Sequence, residues 1–145
     1  MGQQNGTMKR KVAINPCAGV GKLMGGICRQ AAYKVVDELR PGVTELVCMP
    51  ALAAGVQEDI DFINDYPVLV INGCSLKCGT KVVLDRGGAV AKEVYAPRTI
   101  AGKVNLRDES RSEHGPAARL AVNLLAQQVA DEVDRLLERS EATSA

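Results

Sequence analysis

The sequence predicts a single-domain, three-layer α/β fold with a mostly parallel sheet of about four strands, Rossmann-like or flavodoxin-like in plan. Three observations predict it. Short, near-continuous apolar runs alternate with stretches whose apolar residues recur at helical spacing. The chain has 145 residues, one core's worth rather than two. Its 46% hydrophobic and 24% charged content is that of a globular protein. We expect short tails at 1–10 and 140–145, small, polar and aperiodic, around one domain over 11–139.

Val12-Ala13-Ile14 reads as a strand buried on both faces and stopped at Asn15-Pro16. From about Val20 the residues Leu23, Ile27, Ala31, Val35 and Leu39 fall four apart, a helix ending at Arg40-Pro41-Gly42. Val43 to Met49 is a second strand. Val56, Ile60 and Ile63 mark a short helix that ends before Pro67. Val68-Leu69-Val70-Ile71 is the strongest strand in the chain, with Ser75 placed to cap a helix reaching Leu84 and stopping at Gly87-Gly88. Val90 to Tyr95 suits a more polar edge strand, while Thr99 to Gly115 lacks periodicity. Pro116 opens a last helix whose Ala121, Leu125, Val129, Val133 and Leu136 continue to about Arg139. Strands of this kind, joined through helices, form parallel sheets with right-handed crossovers.

Composition removes several functions. A formal charge of +1 creates no field for nucleic acid or anionic lipid. Aromatics are 3% of the chain with no Trp, too few for base stacking. No run approaches the ~18 apolar residues of a membrane span. Asn15-Pro16 and the glycines after it interrupt any export signal behind Lys9-Arg10-Lys11. The expected location is the cytoplasm, where five Cys are not disulfides and instead imply burial, metal binding or redox chemistry.

Cys17 lies just past the first strand, Cys48 at the end of the second and Cys74 just past the third. A parallel sheet puts all carboxyl ends on one rim, so these cysteines converge there. A strand order 2-1-3 sets Cys48, Cys17 and Cys74 in a row, strands being about 4.8 Å apart. Cys78, four residues after Cys74, adds a fourth sulfur. Four thiolates suit a closed tetrahedral zinc site, and soft sulfur also takes an iron–sulfur cluster or Cu(I). The spacing is not a zinc ribbon's, and the plain alternative is that these cysteines are small buried hydrophobes. Cys28, on the order of 12 Å along the first helix from the rim, is assigned to packing with Met24, Ala32 and Val36.

Ala18-Gly19-Val20-Gly21-Lys22 joins the first strand to its helix, where backbone N–H groups at Gly19 and Gly21 can meet an anion. It is no nucleotide loop: Pro16 and Leu23 replace the first glycine and the hydroxyl of a P-loop, and Met24 replaces the third glycine of a dinucleotide site. The glycines equally serve a tight turn, or bring backbone close to a metal. Lys22, Lys77 and Lys81 stand near the rim, to balance thiolate charge or simply in solvent. His114, the single histidine, is a candidate fifth ligand or proton carrier. Asp108, Glu109 and Glu113 read as a solvated run. A thiol enzyme, with Cys17 as nucleophile and Cys74 or Cys78 resolving, is the competing chemistry. Against it, neither C-x-x-C nor a C-x5-R phosphate loop is present, Leu23 holding the Arg position. A module docking on an unidentified protein partner is a further alternative.

Pro16-Cys17-Ala18-Gly19-Val20-Gly21-Lys22, Arg29-Gln30-Ala31-Ala32-Tyr33, Leu46-Val47-Cys48-Met49-Pro50-Ala51-Leu52 and Asn72-Gly73-Cys74 with Cys78 resemble the zinc-binding family named for a central Asp-Gly-Cys motif, the DGC domain. The resemblance covers about Lys11 to Leu84 and continues more loosely to the C-terminus. It implies metal chelation by four cysteines, mapping onto Cys17, Cys48, Cys74 and Cys78, and no activity beyond that. Asn72 stands where the family has Asp. Asn keeps the shape and one acceptor but loses the carboxylate, so any supporting or proton-transfer role of that Asp is altered here.

Overall fold

The computed structural model describes residues 10–144, with side chains to residue 140. The tail expected over 1–10 therefore lies outside the described residues except for Arg10, as does Ala145. Four parallel strands form one sheet: β1 (Val12–Pro16), β2 (Thr44–Leu46), β3 (Val68–Asn72) and β4 (Lys92–Tyr95), in the order β2-β1-β3-β4. The helices are α1 (Leu23–Lys34), α2 (Met49–Ala53), α3 (Gln57–Asp65), α4 (Cys78–Asp85), α5 (Ala96–Ile100) and α6 (Pro116–Ser144). The expected α/β class and the edge position of the fourth strand hold.

Three layers follow from strand alternation. Val12 and Ile14 of β1 and Leu69 and Ile71 of β3 face a core built with α1, α5 and α6. Ala13, Val68 and Val70 face the opposite side, against Leu52 of α2, Ile63 of α3 and Val83 of α4. Both central strands are fully buried, which explains their unbroken apolar runs.

The element ends differ from expectation for local reasons. α1 begins at Leu23 rather than Val20, and Val35–Leu39 widens into a π-helical turn closed by Arg40 N–H to the Val35 carbonyl at 2.8 Å. Arg40 then forks onto Asp134 of α6 at 2.7 and 2.8 Å. β2 is shorter than Val43 to Met49 because the rung after Val47 N–H to the Ile14 carbonyl would need an N–H on Pro16, which has none; the Cys48 N–H, on the outer side of this edge strand, goes to Asp59 Oδ1 at 3.2 Å. Ser75 does not cap α4. It lies in a turn closed by Lys77 N–H to the Cys74 carbonyl at 3.1 Å, and the cap is Lys77 itself, in the left-handed region at φ 52°. α6 runs past Arg139 to Ser144, and α5 occupies part of the stretch left without periodicity.

The strand order creates a switch point. From β1 the chain crosses to β2 on one side, through α1 on one face; from β3 it crosses to β4 on the other side, through α4 on the opposite face. Opposite directions on opposite faces keep the crossovers of one hand and open a crevice between the carboxyl ends of β1 and β3.

Candidate metal centre

The crevice is a cavity of about 390 Å³. Cys17 from the β1 exit, Cys74 from the β3 exit and Cys78 from the first position of α4 line it, with Gly19, Gly21 and Lys22 of the glycine loop. Met24, Met49 and Leu76 form apolar lips. Sequence-remote thiols thus line one cavity because two adjacent parallel strands discharge their chains at one edge.

The backbone is shaped around Cys17. The Gly19 N–H points at its Sγ at 3.4 Å. Gly19 is pressed on by the first turn of α1, where a Cβ on Gly25 would stand 2.0 Å from the Gly19 carbonyl oxygen. Gly73, buried between Asn72 and Cys74, is equally constrained: a Cβ there would meet Cys17 Sγ and Met24 Cγ at 3.2 Å and Cys28 Sγ at 3.4 Å.

Cys48 stands apart. It caps α2 on the far side of β1 from the crevice, is exposed, and does not line the cavity, although its neighbour Met49 does. Cys28 is fully buried in the core, as its packing assignment requires. The 12 Å separation from the rim does not hold for its sulfur, since Cys17 Sγ and Cys28 Sγ both touch the space above Gly73. Two causes bring it close: α1 starts later than expected, and helical side chains lean toward the N-terminus, which here is the rim. Burial, reinforced by the neighbouring Cys17, pushes the Cys28 thiol pKa far above its ordinary value.

Asn72 does not line the cavity. Its Nδ2 donates to Thr80 Oγ1 at 2.8 Å, and that hydroxyl donates to Glu93 Oε2 at 2.6 Å. The Thr80 hydrogen bond, with Lys77 beyond it, holds the Glu93 carboxyl below the ordinary carboxylate range. Lys77 pairs with Glu93 at 3.3 Å rather than with the thiols, and Lys81 is exposed on α4. Beside Asn72 lies Asn15, fully buried, with Nδ2 on the Gly79 carbonyl at 3.1 Å and Oδ1 without a partner. His114 is on the other side of α1, its Nε2 3.2 Å from where a Gly26 Cβ would be, and does not line the thiol cavity. Glu109 is no solvated charge: its carboxylate accepts the N–H groups of Gly115 at 2.6 Å and Ala117 at 3.3 Å.

The donor chemistry, three thiols around one cavity, fits a soft metal. The spacing does not close a shell, because among the described residues no three His, Cys, Asp or Glu side chains are grouped to hold one ion. No helix among the described residues is long and apolar enough to cross a membrane. Of the cavity's features, Gly73 had a signal in its place beside Cys74, whereas the approach of Cys28 had none. A family model described as DGC domain matches residues 13–115. No curated protein and no solved structure matches the chain.

Proposed function

The chain belongs to the DGC domain family, and from that premise we propose that it is a cytosolic metal-binding protein holding one zinc ion through Cys17, Cys48, Cys74 and Cys78. One observation carries the reading: Cys17, Cys74 and Cys78, delivered by two different strands, line a single crevice at the switch point of a parallel sheet. A bound zinc ion supplies charge to hold thiolates together and ties loops that are otherwise separate. Cys17 is positioned by the Gly19 N–H and Cys78 by the start of α4. Cys48 reaches the ion by a shift of the Val47–Met49 segment, and Lys22 faces the resulting negative charge.

Elemental analysis of protein purified without added zinc tests this. One equivalent of zinc is expected in the wild type, with loss in Cys74→Ser and in Cys48→Ser. Negligible metal in wild type and variants alike rejects it, and brown, iron-bearing protein after anaerobic purification replaces zinc by an iron–sulfur cluster. A chelator should lower the unfolding midpoint of the zinc form.

A second reading, thiol redox chemistry at Cys17 with Cys74 or Cys78 resolving, is supported by the three thiols lining one cavity. Rapid alkylation of Cys17 in folded, metal-free protein and a disulfide to Cys74 or Cys78 on mild oxidation support it; a Cys17 inert to both rejects it.

A further inference from the structure

A groove of about 790 Å³ lies on the other side of α1 from the thiols, between α1, α6 and the loop before α6. One wall comes from the Arg29–Tyr33 motif, which the thiol site leaves unused: Ala31 and Ala32 are buried in the core, while Arg29, Gln30 and Tyr33 line the groove. Arg111, His114 and Arg119 form the opposite side. We propose that this groove binds a small dianion, a phosphate or a dicarboxylate, between the guanidinium groups of Arg29, Arg111 and Arg119.

Charge and hydrogen bonding carry the argument. Arg29, Arg111 and Arg119 line one concavity, and their like charges favour an anion among them. The acidic residues of the groove do not fill that role. Glu38 is paired with Lys34 at 3.5 Å, and Asp37 is about 12 Å along the helix from Arg29 at 1.5 Å per residue. Arg29 is half-buried yet makes no hydrogen bond or ion pair with any described residue.

The other two arginines are pinned but not used up. Arg111 Nη1 donates to the Gly21 carbonyl and Arg119 Nη1 to the His114 carbonyl, each at 2.7 Å. Each guanidinium carries five N–H donors, so a fork remains free for a carboxylate or phosphate. Heads already held in place lose less freedom on binding. Gly26 makes room for the His114 ring, which sets the loop carrying Arg111 against α1.

Calorimetric titration with inorganic phosphate and with succinate, at about physiological salt where exposed charge is screened, tests the site. Saturable one-to-one binding of at least one probe is expected, with a Kd below about 1 mM. It should weaken at least about tenfold in Arg29→Gln and in Arg119→Gln, the loss of one charge-assisted contact. Lys103→Gln, outside the groove, should bind as the wild type does. The tighter probe assigns the ligand to phosphate or to carboxylate chemistry. Absence of saturable binding by both probes overturns the proposal, as does undiminished binding in a folded Arg29→Gln or, should that variant not fold, in Arg119→Gln. The readout does not depend on metal content, so it stands or falls apart from the zinc reading.

Discussion

Gly25 packs so tightly against Gly19 that a Cβ on it would come within 2.0 Å of the Gly19 carbonyl oxygen. This contact presses the loop that carries Cys17 onto the first turn of α1. In an ordinary helix, replacing Gly by Ala gains about 1 kcal/mol. Here the sign should reverse: Gly25→Ala has backbone to displace rather than a flexible side chain, and should lose about 2 kcal/mol or more in denaturant unfolding. Equal or greater stability in the variant contradicts the close contact.

The Asn72 amide and the Glu93 carboxylate share one hydroxyl, that of Thr80. Asn72→Asp restores the family residue but sets a buried carboxylate against a hydroxyl whose single proton is already given to Glu93. We expect a loss of about 1–3 kcal/mol near neutral pH. Burial and the Glu93 charge raise the folded-state pKa of the new carboxyl, so the penalty should fade as pH drops toward the unfolded value of about 4. Unfolding of both proteins across this range checks it; a deficit that does not change with pH argues against the shared hydroxyl.

Cys28 supplies a second pH test. Its folded pKa is raised above the ordinary thiol value of 9.0, first by burial and then by Cys17. The folded thiol keeps its proton where the unfolded one loses it, so the contribution is full below pH 9.0 and lost as pH rises beyond it. Relative to Cys28→Ala, wild-type stability should fall by up to about 1.4 kcal/mol more per pH unit in that range. Native Cys28 should also resist alkylation at neutral pH while reacting once the chain is unfolded. Parallel pH curves for the two proteins, or fast native alkylation, remove the effect.

Glu109 holds the start of the longest helix through the N–H groups of Gly115 and Ala117. Its charge also complements the positive end of the helix dipole. Glu109→Gln should lose about 0.5–2 kcal/mol, the range for a lost cap. Gly115→Ala should be destabilising as well, because its Cβ, 2.8 Å from Glu109 Oε2, would push that carboxylate off the N–H groups it caps. Thermal unfolding of both variants measures this, and wild-type stability in Glu109→Gln contradicts the capping role.

Much of the fold was legible because it is encoded locally. Val12–Ile14 and Val68–Ile71 read as two-face-buried strands, and the cysteines following them read as rim residues. The α4 start was not legible, since the turn at Cys74–Lys77 ends in a left-handed lysine that residue type does not announce. Glu109 read as solvated because its partners lie across a loop without periodicity.

By itself the sequence determined the layers, the parallel sheet and the delivery of Cys17, Cys48 and Cys74 to the same edge, since apolar periodicity and strand ends are properties of neighbouring residues. Only the tertiary structure decided that Cys17, Cys74 and Cys78 share a crevice while Cys48 stands outside it, that Cys28 reaches the same glycine as Cys17, and that Asn72 turns to Thr80. Those outcomes depend on which side of the sheet each crossover takes and how closely helix backbone approaches loop, and such distances between remote segments are set by packing.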